Sequence, residues 1–205
     1  LTRQLGYKMG ASVAASVDLT VAIKSPVSFS VTVPQGFQFK GPNGTIFETA
    51  KAVTDAPYAG LSDPQTIPCY EGETITESFV SDGTANQIFD LVRVPTGKFI
   101  VQNSVKSTVN GAPFTEVEFL EFEASDQFEF SANDDPPTVR FGNGTTGNIP
   151  TQGASVVVTY VASKGRGGLV LKNTITKVNS PLIVSFQVIQ LSIDNPGPSV
   201  GGDDP

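Results

Sequence analysis

Apolar side chains recur at every second position from Val13 to Ile23. Val13, Ala15, Val17, Leu19, Val21 and Ile23 fall on one face, with Ser16, Asp18 and Thr20 on the other. A period of two puts alternate side chains on opposite sides of an extended chain, so the stretch is expected to be a half-buried strand, ended by Pro26. The same period returns along most of the sequence. A helix would need apolar residues three and four apart, and almost no segment supplies that spacing. The expected class is therefore mainly β.

The alternation continues through Phe29, Val31, Val33, Phe37 and Phe39, with Pro34-Gln35-Gly36 turning between them. Gly41-Pro42-Asn43-Gly44 and Asn110-Gly111 are turn signals, because Asn-Gly accepts the positive φ of a tight hairpin. Further strands are expected over residues 45–53, 74–80, 87–94, 99–109, 114–122, 128–130, 138–141, 154–161, 169–178 and 183–193. Two stretches interrupt the series: 54–68, rich in Pro, Ala, Gly and Asp, and Lys164-Gly165-Arg166-Gly167-Gly168. Reading both as linkers gives two small β-domains, one inserted into the other. Residues 1–68 and 165–205 form the split domain, and 69–164 the insert. Residues 1–10 read equally as the end of a helix or as an extended lead-in. Asn195-Pro196-Gly197-Pro198 and the final Gly-Gly-Asp-Asp-Pro read as an exposed tail. The first residue is Leu1 and the ending is abrupt, so a piece of a longer protein is expected.

Residues 138–161 read as strand, long shaped turn, strand. On the second arm Val156, Val158 and Tyr160 face one way and Val157, Thr159 and Val161 the other, which predicts cover on both faces. Between the arms, Gly142-Asn143-Gly144-Thr145-Thr146-Gly147 satisfies the G-x-G-x-x-G pattern of dinucleotide sites. That pattern binds pyrophosphate only when a helix follows, and here Pro150, Gly153 and a β-branched run follow instead. The turn is longer than a tight hairpin requires and carries almost no charge beyond Arg140. Asn143, Gly144, Thr145, Thr146, Gly147 and Asn148 are therefore the candidate interaction loop, a surface for docking another protein.

The chain has 13 Lys and Arg against 20 Asp and Glu, a net charge of −7, which disfavours a phosphate backbone as partner. No apolar run approaches the ~20 residues that span a bilayer. There is no His and a single Cys, so Ser-His-Asp and Cys-His catalysis, His-ligated zinc and an internal disulfide all fall away. Cys69 is expected to be a small buried hydrophobe. Glu116, Glu118, Glu121, Glu123 and Asp126 are the densest carboxylates. Their alternation with Val117, Phe119 and Phe122 predicts the solvated face of a strand, bulged near Phe119-Leu120, rather than an acid–base pair. Asp134-Asp135 and Asp203-Asp204 lack the loop pattern of a calcium site. No catalytic residue, metal or cofactor is expected. On these grounds alone the reading stops at a soluble, acidic, all-β interaction protein.

Several phrases, in order, reach further: Leu5-Gly6-Tyr7, Pro34-Gln35-Gly36-Phe37-Gln38-Phe39, Phe47-Glu48-Thr49, Gly72-Glu73-Thr74, Asp82-Gly83-Thr84-Ala85-Asn86-Gln87 and Val109-Asn110-Gly111. Val139-Arg140-Phe141-Gly142-Asn143-Gly144 follows, with Gly147 and Pro150, then Gly201-Gly202-Asp203-Asp204-Pro205. Together they span almost the whole chain, and the sequence resembles the J-like baseplate wedge proteins of contractile phage tails. Asn143 stands where that family commonly has Asp. Gly167-Gly168 stands where it often has Gly-Asn, which predicts a looser link. The resemblance implies a structural part of the virion tail baseplate, made in the bacterial host cytoplasm. Its partners would be other wedge proteins and copies of itself, with neither nucleic acid nor membrane. The competing expectation is a glycan-binding β-sandwich module of a tail adhesin. Against that stands the lack of Trp, with aromatic hydroxyls only at Tyr7, Tyr58, Tyr70 and Tyr160.

Overall fold

The computed structural model describes residues 13–24, 27, 29–55, 64–122 and 125–204. The phrase at Leu5-Gly6-Tyr7, the strand-ending Pro26, Tyr58, Glu123 and most of the loop expected after Thr54 lie outside the described residues. The fold is mainly β. The first strands are β1 (Val13–Ile23), β2 (Val31–Val33), β3 (Gln38–Lys40), β4 (Ile46–Thr49), β5 (Val53–Asp55) and β6 (Gln65–Glu71). Next come β7 (Glu73–Val80), β8 (Ile88–Asp90), β9 (Phe99–Ile100), β10 (Lys106–Val109), β11 (Ala112–Val117), β12 (Gln127–Ser131), β13 (Thr138–Phe141) and β14 (Ser155–Ser163). The last are β15 (Lys177–Val178), β16 (Leu182–Val184), β17 (Gln187–Ile189), β18 (Leu191–Asp194) and β19 (Val200–Asp203).

The chain divides into two compact units. The outer one comprises Leu1–Glu73 with Ser163–Pro205, and the inserted one is Thr74–Ala162. Cys69, Tyr70 and Glu71 therefore belong to the outer unit, as do Ser163 and Lys164. Residues 65–68 are not linker. They are the start of β6, which pairs antiparallel with β1, Leu19 opposite Ile67 and Val17 opposite Cys69.

The outer unit is built on β1. Its sheet runs β15-β3-β4-β6-β1-β18, and β19 also pairs with β1. β1 is long enough to take both partners on one edge, Val13–Ser16 against β19 and Thr20–Ile23 against β18. Ala15, Val17, Leu19 and Val21 are buried, as a period of two requires, and Phe39, Phe47, Ile67 and Ile175 complete the core. The terminal Gly-Gly-Asp-Asp stretch is not a loose tail. Through Asp203 it is strand, and Arg166 Nε and Nη2 lie 3.0 and 2.8 Å from Asp203 Oδ1. The strand expected over 169–178 shrinks to Lys177–Val178. Upstream of it, Asn195 Oδ1 accepts the amides of Thr174 and Ile175, a side chain standing in for a ladder partner.

The link at Gly165–Gly168 is a tight 3-10 turn with Gly165 and Gly168 buried, not a loose one. Buried Glu71 holds it: Glu71 Oε2 accepts the Ser163 hydroxyl and, at 2.9 Å, the Lys164 amide. A Cβ on Gly168 would come within 2.5 Å of Glu71 Cγ, so the glycine that replaces the expected Asn makes room for the carboxylate.

The inserted unit has one eight-stranded sheet in the order β7-β14-β10-β11-β12-β13-β8, with β9 also paired to β14. Val156, Val158, Tyr160 and Ala162 of β14 are fully buried on one face. The other face is half-covered rather than buried, and there the Thr76 and Thr159 hydroxyls meet at 3.0 Å across neighbouring strands. Asn110 and Gly111 turn β10 into β11 with φ of 50° and 82°.

β11 and β12 are parallel, Thr115 opposite Gln127 and Val117 opposite Glu129. This pairing overturns the strand expected over 114–122. To enter a parallel partner the chain must leave the ladder and cross back along the sheet, so the strand ends at Val117, and the described residues 118–122 and 125–126 belong to the crossover. The carboxylates are then not one strand face. Glu116 sits half-buried in β11, Glu118 and Glu121 lie exposed on the crossover, and the Phe residues between them do not turn into the core.

Candidate interaction surface

Phe141 closes β13 and fixes the start of the glycine-rich loop. Its ring lies edge-on to Phe89 and Phe114, with centroids 5.8 and 5.5 Å apart, and packs at a tilt on Phe128. Gly142 follows in a space with no room for a side chain, since a Cβ there would sit 2.2 Å from the Gly147 carbonyl. Asn143 then shapes the turn. Its Oδ1 accepts the amides of Thr145 and Thr146, both at 2.9 Å, and the Gly144 amide donates to the Gly147 carbonyl at 3.0 Å. A carboxylate at 143 would accept the same two amides, so Asn in place of Asp keeps the geometry.

The loop is clasped on two sides. On one, the Ser81 hydroxyl donates to the Pro150 carbonyl at 2.8 Å and the Asn86 amide to the Gly142 carbonyl at 2.9 Å. The segment that makes these bonds is itself ordered by Asp82, whose Oδ1 accepts the Thr84 hydroxyl and amide at 2.7 and 2.8 Å. Those two bonds hold the Asp82 carboxyl below the usual carboxylate range, the hydroxyl contributing most. On the other side lies the crossover. The Asn148 amide donates to the Ser125 carbonyl at 2.8 Å, and Asn148 Nδ2 to Asp126 Oδ1 at 2.9 Å.

Of the six loop residues, Asn143, Gly144 and Thr145 are exposed, Thr146 and Asn148 half-buried, and Gly147 buried. The crossover, whose Leu120 side chain stands against Gly147, exposes Phe119 by 60% and Phe122 by 82%. Sequence reasoning did not single out these two rings, because the alternation reads as a strand whose solvated face is the acidic one. The break in phase at Leu120 was the available sign that the strand had ended there.

The other candidates are engaged in structural pairs. Glu129 and Arg140 form an ion pair across β12 and β13. Tyr160 donates to buried Glu77 at 2.7 Å, and burial, then that carboxylate, raises the phenol well above its ordinary value. Asp134 accepts the Thr138 hydroxyl at 2.7 Å, and Asp204 the Arg166 amide at 3.0 Å. Cys69 is buried, and burial, with the nearby Asp18 charge, pushes its thiol up to about 12. Among the described residues no group of three or more His, Cys, Asp or Glu stands close enough to hold a metal ion, and no helix is long and apolar enough to cross a membrane.

The site is thus a shaped polar turn bonded to a segment that bares two aromatic rings, an arrangement suited to burying surface against another molecule. No protein-family model and no curated protein sequence matches the chain.

Proposed function

We propose that the chain is a structural, non-enzymatic part of a contractile phage tail baseplate, joining wedge subunits into the ring. The observation that carries a protein-contact role is the exposure of Phe119 and Phe122 on the segment that Asn148 of the clasped loop bonds through Ser125 and Asp126. The baseplate assignment draws on the ordered resemblance. Two of its phrases, far apart in sequence, are packed together: Asp82-Gly83-Thr84 with its neighbour Ser81, and Gly142 to Pro150. Its partners are other wedge proteins and copies of itself, in the tail baseplate after synthesis in the host cytoplasm.

A second reading, the glycan-binding module of a tail adhesin, draws on the exposure of the same two rings. The test is electron microscopy of intact tails from a producing strain, labelled with an antibody against this chain. Label at the baseplate ring, lost from particles when Phe119 and Phe122 are both changed to Ser, is the expected result. Label only on peripheral fibres, or saturable binding of the pure chain to a glycan array, would replace the first reading with the second. Tails without label at either place would overturn both.

A further inference from the structure

The two units divide the charge of the chain unequally. Thr74–Ala162 holds eleven Asp or Glu against four Lys or Arg, so the whole of the −7 lies in the inserted unit. The outer unit holds nine of each sign and is neutral. Two of the four cations in the inserted unit are already engaged. Arg140 pairs with Glu129, and Arg93 Nη1 donates to the Thr76 carbonyl at 2.9 Å.

The crossover sets apolar surface among these charges. Phe119 follows Glu118, Phe122 follows Glu121, and all four are exposed. Among the described residues neither Glu118 nor Glu121 meets a cation. The backbone between the rings is fastened. Leu120 packs on Gly147, and the Glu121 amide donates to Gln127 Oε1 at 3.1 Å. The rings are therefore left in solvent by a held segment.

We infer that this segment docks a cationic stretch of a partner protein, one that carries Arg beside apolar side chains. The inference rests on the protein-contact role proposed above and adds the chemistry of the partner. Charge selects the occupant. The inserted unit of a second copy brings another −7 and repels, and its outer unit is neutral and offers no net attraction. Lipid headgroups and nucleic acid are anionic and are repelled as well. An arginine is drawn to Glu118 and Glu121, and its planar guanidinium also stacks on an aromatic face, which the ammonium of lysine does less well. Apolar neighbours of that arginine then cover the rings, and an aromatic ring removes more area from water than most side chains. The two kinds of residue divide the work: the carboxylates steer the encounter, and the rings hold the partner once it has arrived.

The test uses the purified chain and a short peptide of alternating Arg and Leu, followed by surface plasmon resonance. Saturable binding is expected, with association slowed by added salt. Glu121→Lys is expected to slow association by about tenfold at low salt, and Phe122→Ser to speed dissociation by about tenfold. Asp90→Lys makes the same change of charge at an exposed site at the far end of the ladder, since Asp90 lies opposite Thr138 while the crossover enters β12 at Gln127. It is expected to stay within about twofold of the parent. Absence of saturable binding overturns the proposal. So does a peptide of alternating Arg and Ser that binds as tightly, or an Asp90→Lys variant as weak as Glu121→Lys, because either reduces the effect to diffuse attraction by an acidic chain. Self-association of the chain that Phe122→Ser abolishes puts a second copy on the segment and also overturns it. If the peptide fails to bind while tails still lose the label when Phe119 and Phe122 are changed to Ser, the contact role stands and the cationic partner falls.

Discussion

The loop after β13 and the hairpin between β16 and β17 are both exposed reversals of the chain, and they meet the same backbone demand with opposite residues. In the loop, the positive φ values fall on Gly144 and Gly147, and Asn143 bonds the turn shut. In the hairpin they fall on Ser185 and Phe186. Among the described non-glycine residues with positive φ, the others are Asn43, Asn86, Asn103, Asn110 and Asn173, all of the type best suited to that region. The loop's residues are thus accounted for by the fold alone, whereas Phe186, fully exposed at φ of 62°, gains no packing in its own chain for the strained backbone.

This contrast breaks most sharply at Gly142. Gly142→Ala is expected to destabilise the inserted unit by about 3 kcal/mol or more, because the methyl meets backbone that has nowhere to move. Urea unfolding that shows less than about 1 kcal/mol would mean the loop opens readily and its shape is not enforced. The matching substitution in the hairpin has the opposite sign. Phe186→Gly is expected to stabilise the chain by about 1 kcal/mol, since it relieves the positive φ and gives up no packing. The measurement is the melting temperature, and a fall in Tm would show that the ring packs on its own chain.

Asn143→Ala is expected to cost up to about 1 kcal/mol through two unpaired turn amides, while Asn143→Asp stays within roughly 0.5 kcal/mol at neutral pH. Thermal melts of the two variants side by side decide whether this position only shapes the turn.

The smallest expected effect concerns Cys69. Its folded thiol titrates near 12 against a reference of 9.0, so the stability it contributes is intact below pH 9.0 and declines as pH rises towards 12. At pH 8 it is expected to resist alkylation in the native chain and to react fully in denaturant. Rapid native labelling would show that the outer unit opens around β6.

What the sequence made legible follows from local chemistry. The alternation of β1, the Asn-Gly turns at 43–44 and 110–111, and the shaped turn after Phe141 depend on residues within a few positions of one another. The features it hid depend on distant partners. The ladder from β1 to β19 joins Val13 to Asp203, so the glycines of the last strand looked like tail. The parallel step from β11 to β12 has no local signature, so the alternation of Glu with Phe119 and Phe122 reads as one strand with a solvated acidic face. The stretch over 183–193 reads as one strand or two, and the reversal at Ser185-Phe186 is not legible in it, because neither residue type signals a turn. The loop half of the candidate surface was therefore readable, and its aromatic half was not.

The position of β1 also sets the order in which the chain becomes structured. β1 is made first, yet it cannot complete its edge until β18 and β19 have been synthesised near the other end of the chain. The inserted unit is continuous, and its first and last strands, β7 and β14, are neighbours in one sheet. On the ribosome it is complete while the outer unit still lacks five of its eleven described strands, and it therefore folds first. Once folded, it replaces a long flexible gap between β6 and the later strands with the short distance between its own two ends. That lowers the loop-closure entropy the outer unit must overcome. The insertion acts as a timing device: until it folds, β1 waits with one edge open.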